Sequence, residues 1–475
     1  MPKIILGGFL FYLATVTITQ TAHGGNFMSL RWIGLAGLAG ASAVYWLLGF
    51  IPRRDALGNV GPGFMFWIYL LGTLASIVVA QNMIFSGLKW VSQATLLITF
   101  MFLLRGTFHS GTAGQMIWII KGITIFLLGL SFFYPAPATV YDNPYYRGAM
   151  GDSNSLGHIA MLCALLYFHG SIISFKAHWK LLQFGIALVA TGIMVSSWAR
   201  SSMVGFLVGL ALLSHFYGLT RSLLAKSAAL LLICFLLASP IMQSGILDFL
   251  AKDRETQEPE QSSKVLAVIK GDMFKKSPSF ETVIRNRSSL WLEAWKGFKK
   301  RPFLGWGFGA TQDIPMRWAI RPTSIGLVRD ITNDILFILE GSGIIGFLGY
   351  FGLMILILKQ SLGRQQIIRT RRNSKERLMK GEAPILSRPQ ARDHQHAILY
   401  IISISLFALF QTDGSAFSAG SLISAIFWIC AGAAGALRAE AVASERGMNP
   451  IEQEVPKTAG PRVRLRNPKW EGGRL

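Results

Sequence analysis

The chain has 475 residues, of which 52% are hydrophobic and only 15% charged, with a mean hydropathy of +0.43. Soluble domains carry about 25% charged residues, so the composition excludes an ordinary soluble domain and indicates a polytopic membrane protein. The net charge of +22 would suggest nucleic acid in a soluble protein. Here Lys and Arg lie between apolar runs, where they set topology, and no nucleic-acid partner is expected.

Twelve apolar runs of spanning length follow one another: about 4–21, 31–51, 64–80, 88–104, 116–134, 155–173, 181–197, 201–218, 224–243, 335–358, 397–412 and 418–437. The expected fold is an all-α transmembrane bundle of about twelve spans, with one large periplasmic loop between spans 9 and 10. The expected parts are spans 1–9 over 1–243, the loop with an amphipathic helix over 244–334, spans 10–12 over 335–437 including a basic cytoplasmic segment 359–396, and a cytoplasmic tail over 438–475. Arg53 and Arg54, Arg105, Lys176 and Lys180, and Arg221 and Lys226 fall in alternate loops. Segment 359–396 holds ten Lys or Arg, whereas the facing loops 22–30 and 81–87 hold none. The positive-inside rule then places both termini in the cytoplasm. The 15 Lys or Arg of 244–334 are compatible with translocation, because long loops cross largely regardless of charge. Accordingly, a cysteine placed at Gln257 should react with an impermeant thiol reagent in intact spheroplasts, and one at Ser374 should not; the reverse pattern would invert the topology.

Within the loop, 252–264 is polar. From Ser288 to Lys300 the spacing predicts an amphipathic helix with Leu290, Trp291, Ala294, Trp295 and Phe298 on one face, suited to the headgroup level of a bilayer. Arg301–Pro302 ends it, and Gly305, Gly307 and Gly309 read as a flexible turn. This is no nucleotide fingerprint, since no βαβ unit surrounds it. Cys163, Cys234 and Cys430 are too dispersed for a metal motif and read as small core residues. No metal and no cofactor are expected.

Arginines carry the first candidate chemistry. Arg200 sits in a tight turn between two spans, Arg285 and Arg287 precede the amphipathic helix, and Arg317, Arg321 and Arg329 follow it. Guanidinium forks bind phosphate oxygens in pairs and stay charged at membrane depth, although each could equally anchor to lipid phosphates by snorkelling. Thr332–Asn333–Asp334 opens the next apolar run, which carries Glu340 and then Gly343, Gly346 and Gly349 at a spacing suited to close helix packing. Intramembrane charge is otherwise scarce; Lys121 is the exception, near the inner edge of its run.

These pieces together resemble the O-antigen ligase and O-antigen polymerase superfamily of bacterial inner-membrane glycosyltransferases. Arg287-Ser-Ser-Leu-Trp291 followed by Arg301-Pro302-Phe303-Leu304-Gly305-Trp306-Gly307 is similar to the family's Arg-x3-Trp, Pro, Gly-x-Gly. Asn333, nine intervening residues, Gly343 and Gly346 are similar to the ligase motif His-[Asn/Ser/Gln]-x9-Gly-x-x-Gly. Ser197–Ser201 resembles the Ser-Arg-Gly turn, and Asp152–Gly157 the Asn-x-x-Gly before an earlier span. The likeness covers roughly 150–350, and twelve spans with a large loop after the ninth is also the family layout.

The resemblance implies glycosyl transfer at the periplasmic face of the inner membrane. The donor is an undecaprenyl-diphosphate-linked glycan, and the acceptor a second glycan or a lipid A core. Arg200, Arg287, Thr332 and Asn333 are the implied catalytic positions; Arg285, Arg321, Arg329, Asp334, Trp291, Trp306 and Glu340 are candidates for substrate binding. Thr332 stands where ligases carry His, and a hydroxyl cannot replace imidazole as a base near neutral pH. That departure favours a polymerase of O-antigen, capsule or exopolysaccharide repeat units. His158 could supply a base, although its apolar surroundings favour a satisfied core histidine. The alternatives are a ligase, a lipid-linked oligosaccharide transporter, and a scaffold that has lost catalysis.

Overall fold

The computed structural model describes residues 3–20, 30–49, 63–80, 82–104, 107–108, 110–133, 148–150, 153–174, 176–197, 199–217, 291–292, 294–309, 333–359, 388–413 and 421–445. Most of these residues are helical, with no strand among them. The helices are α1 (Lys3–Gln20), α2 (Leu30–Leu47), α3 (Gly63–Ile77), α4 (Met83–Ile98), α5 (Ser110–Phe133), α6 (Ser153–Ile173), α7 (Ala177–Ser196), α8 (Arg200–Tyr217), α9 (Asp334–Leu358), α10 (Arg388–Asp413) and α11 (Leu422–Glu445). They match eleven of the twelve expected runs; the ninth, 224–243, lies outside the described residues, as does most of 244–334.

Seven of these segments are both long and apolar enough to cross a membrane: Met83–Leu103, Gly111–Ser131, Asn154–Ile173, Ala177–Ser196, Asp334–Leu358, Arg392–Gln411 and Leu422–Ala441. Others fall short for physical reasons. The 15 residues of α3 give about 22 Å of helix against a hydrocarbon core of about 30 Å. α2 carries Arg31 in its first turn and is rich in Gly and Ala, while α8 carries Arg200 and His215.

The polar rules of a bilayer explain the helices. Buried Ser and Thr hydroxyls return to the backbone one turn earlier, as Ser42 does to Leu38 (2.7 Å), Thr191 to Ala187 (2.8 Å) and Ser403 to Leu399 (2.8 Å). Asn82 caps α4 by accepting from the Phe85 amide at 3.0 Å. At its far end α4 widens into a π-helical turn, Thr99–Leu103, with the Leu104 amide on the Thr99 carbonyl at 2.8 Å. Gly432 of α11 packs directly on the Phe100 carbonyl in that turn.

α6 and α11 form the centre: 83% and 89% of their spanning windows are buried, against 39% for α5 and α7. Around them α3 pairs with α9, α8 with α10, and α1 with α2. Large apolar side chains face outward on the peripheral helices, among them Phe64, Ile84, Trp118 and Leu181. That belt is what a lipid-facing surface requires.

Two ends of the bundle can be told apart. Gly205 of α8 abuts the Ser405 carbonyl and the Leu409 side chain of α10. Arg200, five residues earlier, is therefore about 7.5 Å further along, level with the C-terminal turn of α10. Tyr217, seventeen residues after Arg200, marks the opposite end about 25 Å away. There its hydroxyl lies between His169 Nε2 (2.8 Å) and His394 Nδ1 (2.9 Å), tying α6, α8 and α10 together. Lys121 lies near the middle of α5 rather than at the edge of its run, because α5 begins at Ser110, six residues earlier than the apolar run. Its ammonium meets Gln183 Oε1 at 3.4 Å and the faces of Tyr167 and Trp118 at 5.0 and 5.5 Å.

Candidate functional site

The site is built around a break in α9. Asn333 caps the helix in extended conformation, its Oδ1 accepting from the Leu336 amide at 3.0 Å. Nine residues after Asp334 the helix is interrupted at Gly343, with φ 63° and ψ −164°. That region is open essentially to glycine alone. A break at this depth leaves buried peptide groups without helical partners, and no water is there to satisfy them.

The segment after the amphipathic helix fills the gap. The Trp306 amide donates to the Glu340 carbonyl at 2.9 Å, and the Gly307 amide to the Gly341 carbonyl at 2.8 Å. In return the Ile344 amide donates to the Pro302 carbonyl at 2.8 Å. The approach is backbone to backbone: a Cβ on Gly343 would collide with the Phe303 carbonyl, and one on Gly305 with Glu340 and Gly341. Phe308 adds a bond from its amide to Ser76 Oγ at 3.0 Å, and Lys89 Nζ reaches the Gly309 carbonyl at 3.2 Å. The Gly-x-Gly-x-Gly stretch is thus a docked joint with several fixed contacts, where its composition suggested a flexible turn.

Helical residues 291–292 and 294–300 pack over this joint. Ala294 is buried and Trp291 and Phe298 are half-buried, as the periodicity requires, but Trp295 is turned outward beside Leu292. Gly297 sits against the Glu340 carboxylate, so Glu340, 7% exposed, is covered by the amphipathic helix. Trp306 is committed to the scaffold: its Nε1 donates to the Gly297 carbonyl at 2.9 Å and Arg301 stacks on its ring at 4.2 Å. Trp291 Nε1 is buried with no hydrogen-bond partner among the described residues.

The first turn of α9 meets residues from far along the chain. Asn333 Nδ2 donates to the Gln411 carbonyl at 2.9 Å, and the Gln411 amide reaches the Tyr350 hydroxyl at 3.5 Å. The Tyr350 ring lies 6.3 Å from that of Tyr69. Asp334 is fully buried and within electrostatic range of both phenols. Gly349 lies directly on the Tyr69 backbone and Gly346 lies against Thr73, so the later glycines of the motif do serve close packing of α3 on α9.

At the same end, Gly157 of α6 receives the turn before α8, with Ala199 and Ser197 against it. The two short motifs around Asn154–Gly157 and Ser197–Ser201 are therefore in contact. Arg200 is half-buried, and its Nη1 is buried with no hydrogen-bond partner among the described residues. His158 Nε2 is 3.3 Å from Ser201 Oγ, and the ring is 4% exposed, which fits a satisfied core histidine.

Arg200, Asn333 and Asp334 thus gather at one end of the bundle, with Glu340 beneath the amphipathic helix. Arg285, Arg287, Arg317, Arg321, Arg329 and Thr332 lie outside the described residues. Among the described residues no group of three His, Cys, Asp or Glu could hold a metal ion. Tyr69, Tyr350 and Gln411 escaped sequence reasoning, because a tyrosine or glutamine inside an apolar run looks the same whether it packs or touches a site.

A family model described as O-Antigen ligase matches residues 184–351. The match runs from α7 through Arg200 and the docked joint to the two later glycines of α9, and it bears out the resemblance read from the motifs. No curated protein matches the chain.

Proposed function

We propose, from the match of residues 184–351 to an O-antigen ligase family model and the motifs within it, that the protein polymerises undecaprenyl-diphosphate-linked repeat units at the periplasmic face of the inner membrane. A hydroxyl of the acceptor sugar attacks the anomeric carbon of the donor. The bond from that carbon to the diphosphate oxygen breaks, and its electron pair leaves with undecaprenyl diphosphate. The hydroxyl proton passes to water. Such a leaving group needs charge stabilisation more than it needs a strong base, and fixed guanidinium groups provide it.

The observation that carries this reading is the position of Arg200. It stands level with the end of α10 that holds Asn333, at the start of the broken helix, and its Nη1 has no bonding partner among the described residues. Arg287, four residues before Trp291 of the amphipathic helix, is the second guanidinium proposed for the same diphosphate. Asn333 and Asp334 would orient the acceptor. The Thr332 hydroxyl is too weak a base to be needed, so Thr332→Ala should retain most activity. A loss of more than about a hundredfold, the size expected for removing a general base, would contradict that assignment.

The matched family description favours a second reading, a ligase that passes the glycan to a lipid A core. Purified protein with a lipid-linked repeat unit separates the possibilities. A polymerase releases undecaprenyl diphosphate and lengthens the glycan without a lipid A core. A ligase turns over only when that acceptor is added. A transporter or scaffold releases none, and that outcome would overturn the enzymatic reading.

A further inference from the structure

Polymerisation has a chemical requirement that ligation to a lipid A core lacks. Both glycans are carried on a lipid diphosphate; the donor's is expelled, and the acceptor's stays intact. The protein must therefore hold two lipid diphosphates at once, only one of them at the reacting carbon.

A second place for one lies on the α3–α9 side of the bundle, whereas Arg200 belongs to α8 against α10 and α6. An open groove of about 430 Å³ is lined there by Val79, Arg301, Pro302, Phe303, Leu304 and Gly305. Its walls are apolar apart from one guanidinium. Phe303 is 70% exposed, a large apolar side chain left open beside a charge. Arg301 is fixed on two sides, by a bond from Nη1 to the Val79 carbonyl at 3.1 Å and by stacking on Trp306 at 4.2 Å. Lys299 and Lys300, both exposed, precede it directly. The segment is held by the backbone bonds into the break of α9, so the groove is formed before any ligand arrives.

From this arrangement we infer that the groove binds the polyprenyl diphosphate of the acceptor glycan, with the isoprenoid chain along Phe303 and Leu304 and the diphosphate on Arg301. The complementarity is one of charge and shape together. An immobilised guanidinium fork suits paired phosphate oxygens, and the exposed lysines add attraction without that two-pronged geometry. A bulk anionic phospholipid would need only the lysines. The inference rests on the polymerase reading above.

Geranylgeranyl diphosphate is the probe, titrated onto the full chain in phosphatidylcholine nanodiscs and counted by native mass spectrometry. Wild type should bind two molecules. Arg301→Ala and Phe303→Glu should each bind one, and so should Arg200→Ala. Arg301 also supports the joint, so Phe303→Glu, at an exposed position, keeps the test independent of folding. In turnover, Phe303→Glu should raise KM for the acceptor unit about tenfold with kcat little changed. Two molecules bound by both groove variants would overturn the inference. So would displacement of both molecules by phosphatidylglycerol at equal concentration, which would show only a surface for anionic lipid. Loss of one molecule in the groove variants, in a protein that forms no polymer, would leave the site standing and remove the polymerase reading instead. Polymer formed equally well by wild type and both groove variants would do the opposite.

Discussion

Alanine at Arg200 or at Arg287 should leave almost no glycosyl transfer. Each guanidinium is proposed to stabilise charge developing on the departing diphosphate, and loss of one such contact costs about 3 kcal/mol, roughly a hundredfold or more in rate. Lysine keeps the charge but loses the two-pronged geometry, so Arg287→Lys should be far worse than charge alone suggests. The two losses should combine to less than their sum if both groups serve one leaving group. Release of undecaprenyl diphosphate by purified protein measures this directly. The polysaccharide made in cells distinguishes the readings: a dead polymerase leaves single repeat units that can still be transferred, and a dead ligase leaves long lipid-linked chains. Normal polysaccharide from the double alanine variant would rule out catalysis at these positions.

Gly343→Ala should be the most damaging single methyl group in the described part of the chain. Its backbone region costs an L-residue about 1–3 kcal/mol. The added carbon also collides with the Phe303 carbonyl, which forces the docked segment out. Three buried backbone bonds to Glu340, Gly341 and Pro302 then go, each with a net value of about 0.5–1.5 kcal/mol. The expected loss is about 3 kcal/mol or more, visible as a large fall in unfolding temperature in detergent, together with loss of activity. Gly87→Ala is the matched control: nothing lies within 4 Å of its added carbon, and a helix gains about 0.5–1 kcal/mol from the exchange. An unchanged unfolding temperature for Gly343→Ala would mean that α9 runs unbroken.

Sequence and structure differ most at this glycine. Gly343, Gly346 and Gly349 have one spacing and one reading from sequence, a packing stripe. Two of them behave so, with α3 lying on Gly346 and Gly349. Gly343 ends a helix instead, and no local signal separates it from its neighbours. The distinction comes from a segment some forty residues earlier that brings its own amides and carbonyl to the break. Arg301, read as the end of a helix and the start of the Pro, Gly-x-Gly stretch, likewise acquires its neighbours, Val79 and Trp306, from tertiary packing.

The amino-acid order alone determined the apolar runs, the helical class and the motif residues Arg200, Asn333 and Asp334, because hydrophobic periodicity and motif spacing are local properties. It also carried the resemblance to the O-antigen ligase family, whose model matches residues 184–351. Tertiary structure alone decided that Trp306 braces a joint, that Tyr69, Tyr350 and Gln411 surround the first turn of α9, and that Lys121 lies in mid-span among aromatic faces. The reason is the solvent. In hydrocarbon every broken peptide bond and every buried charge must find a partner within the protein. Those partners come from helices distant in sequence, so their identity follows from which helices meet.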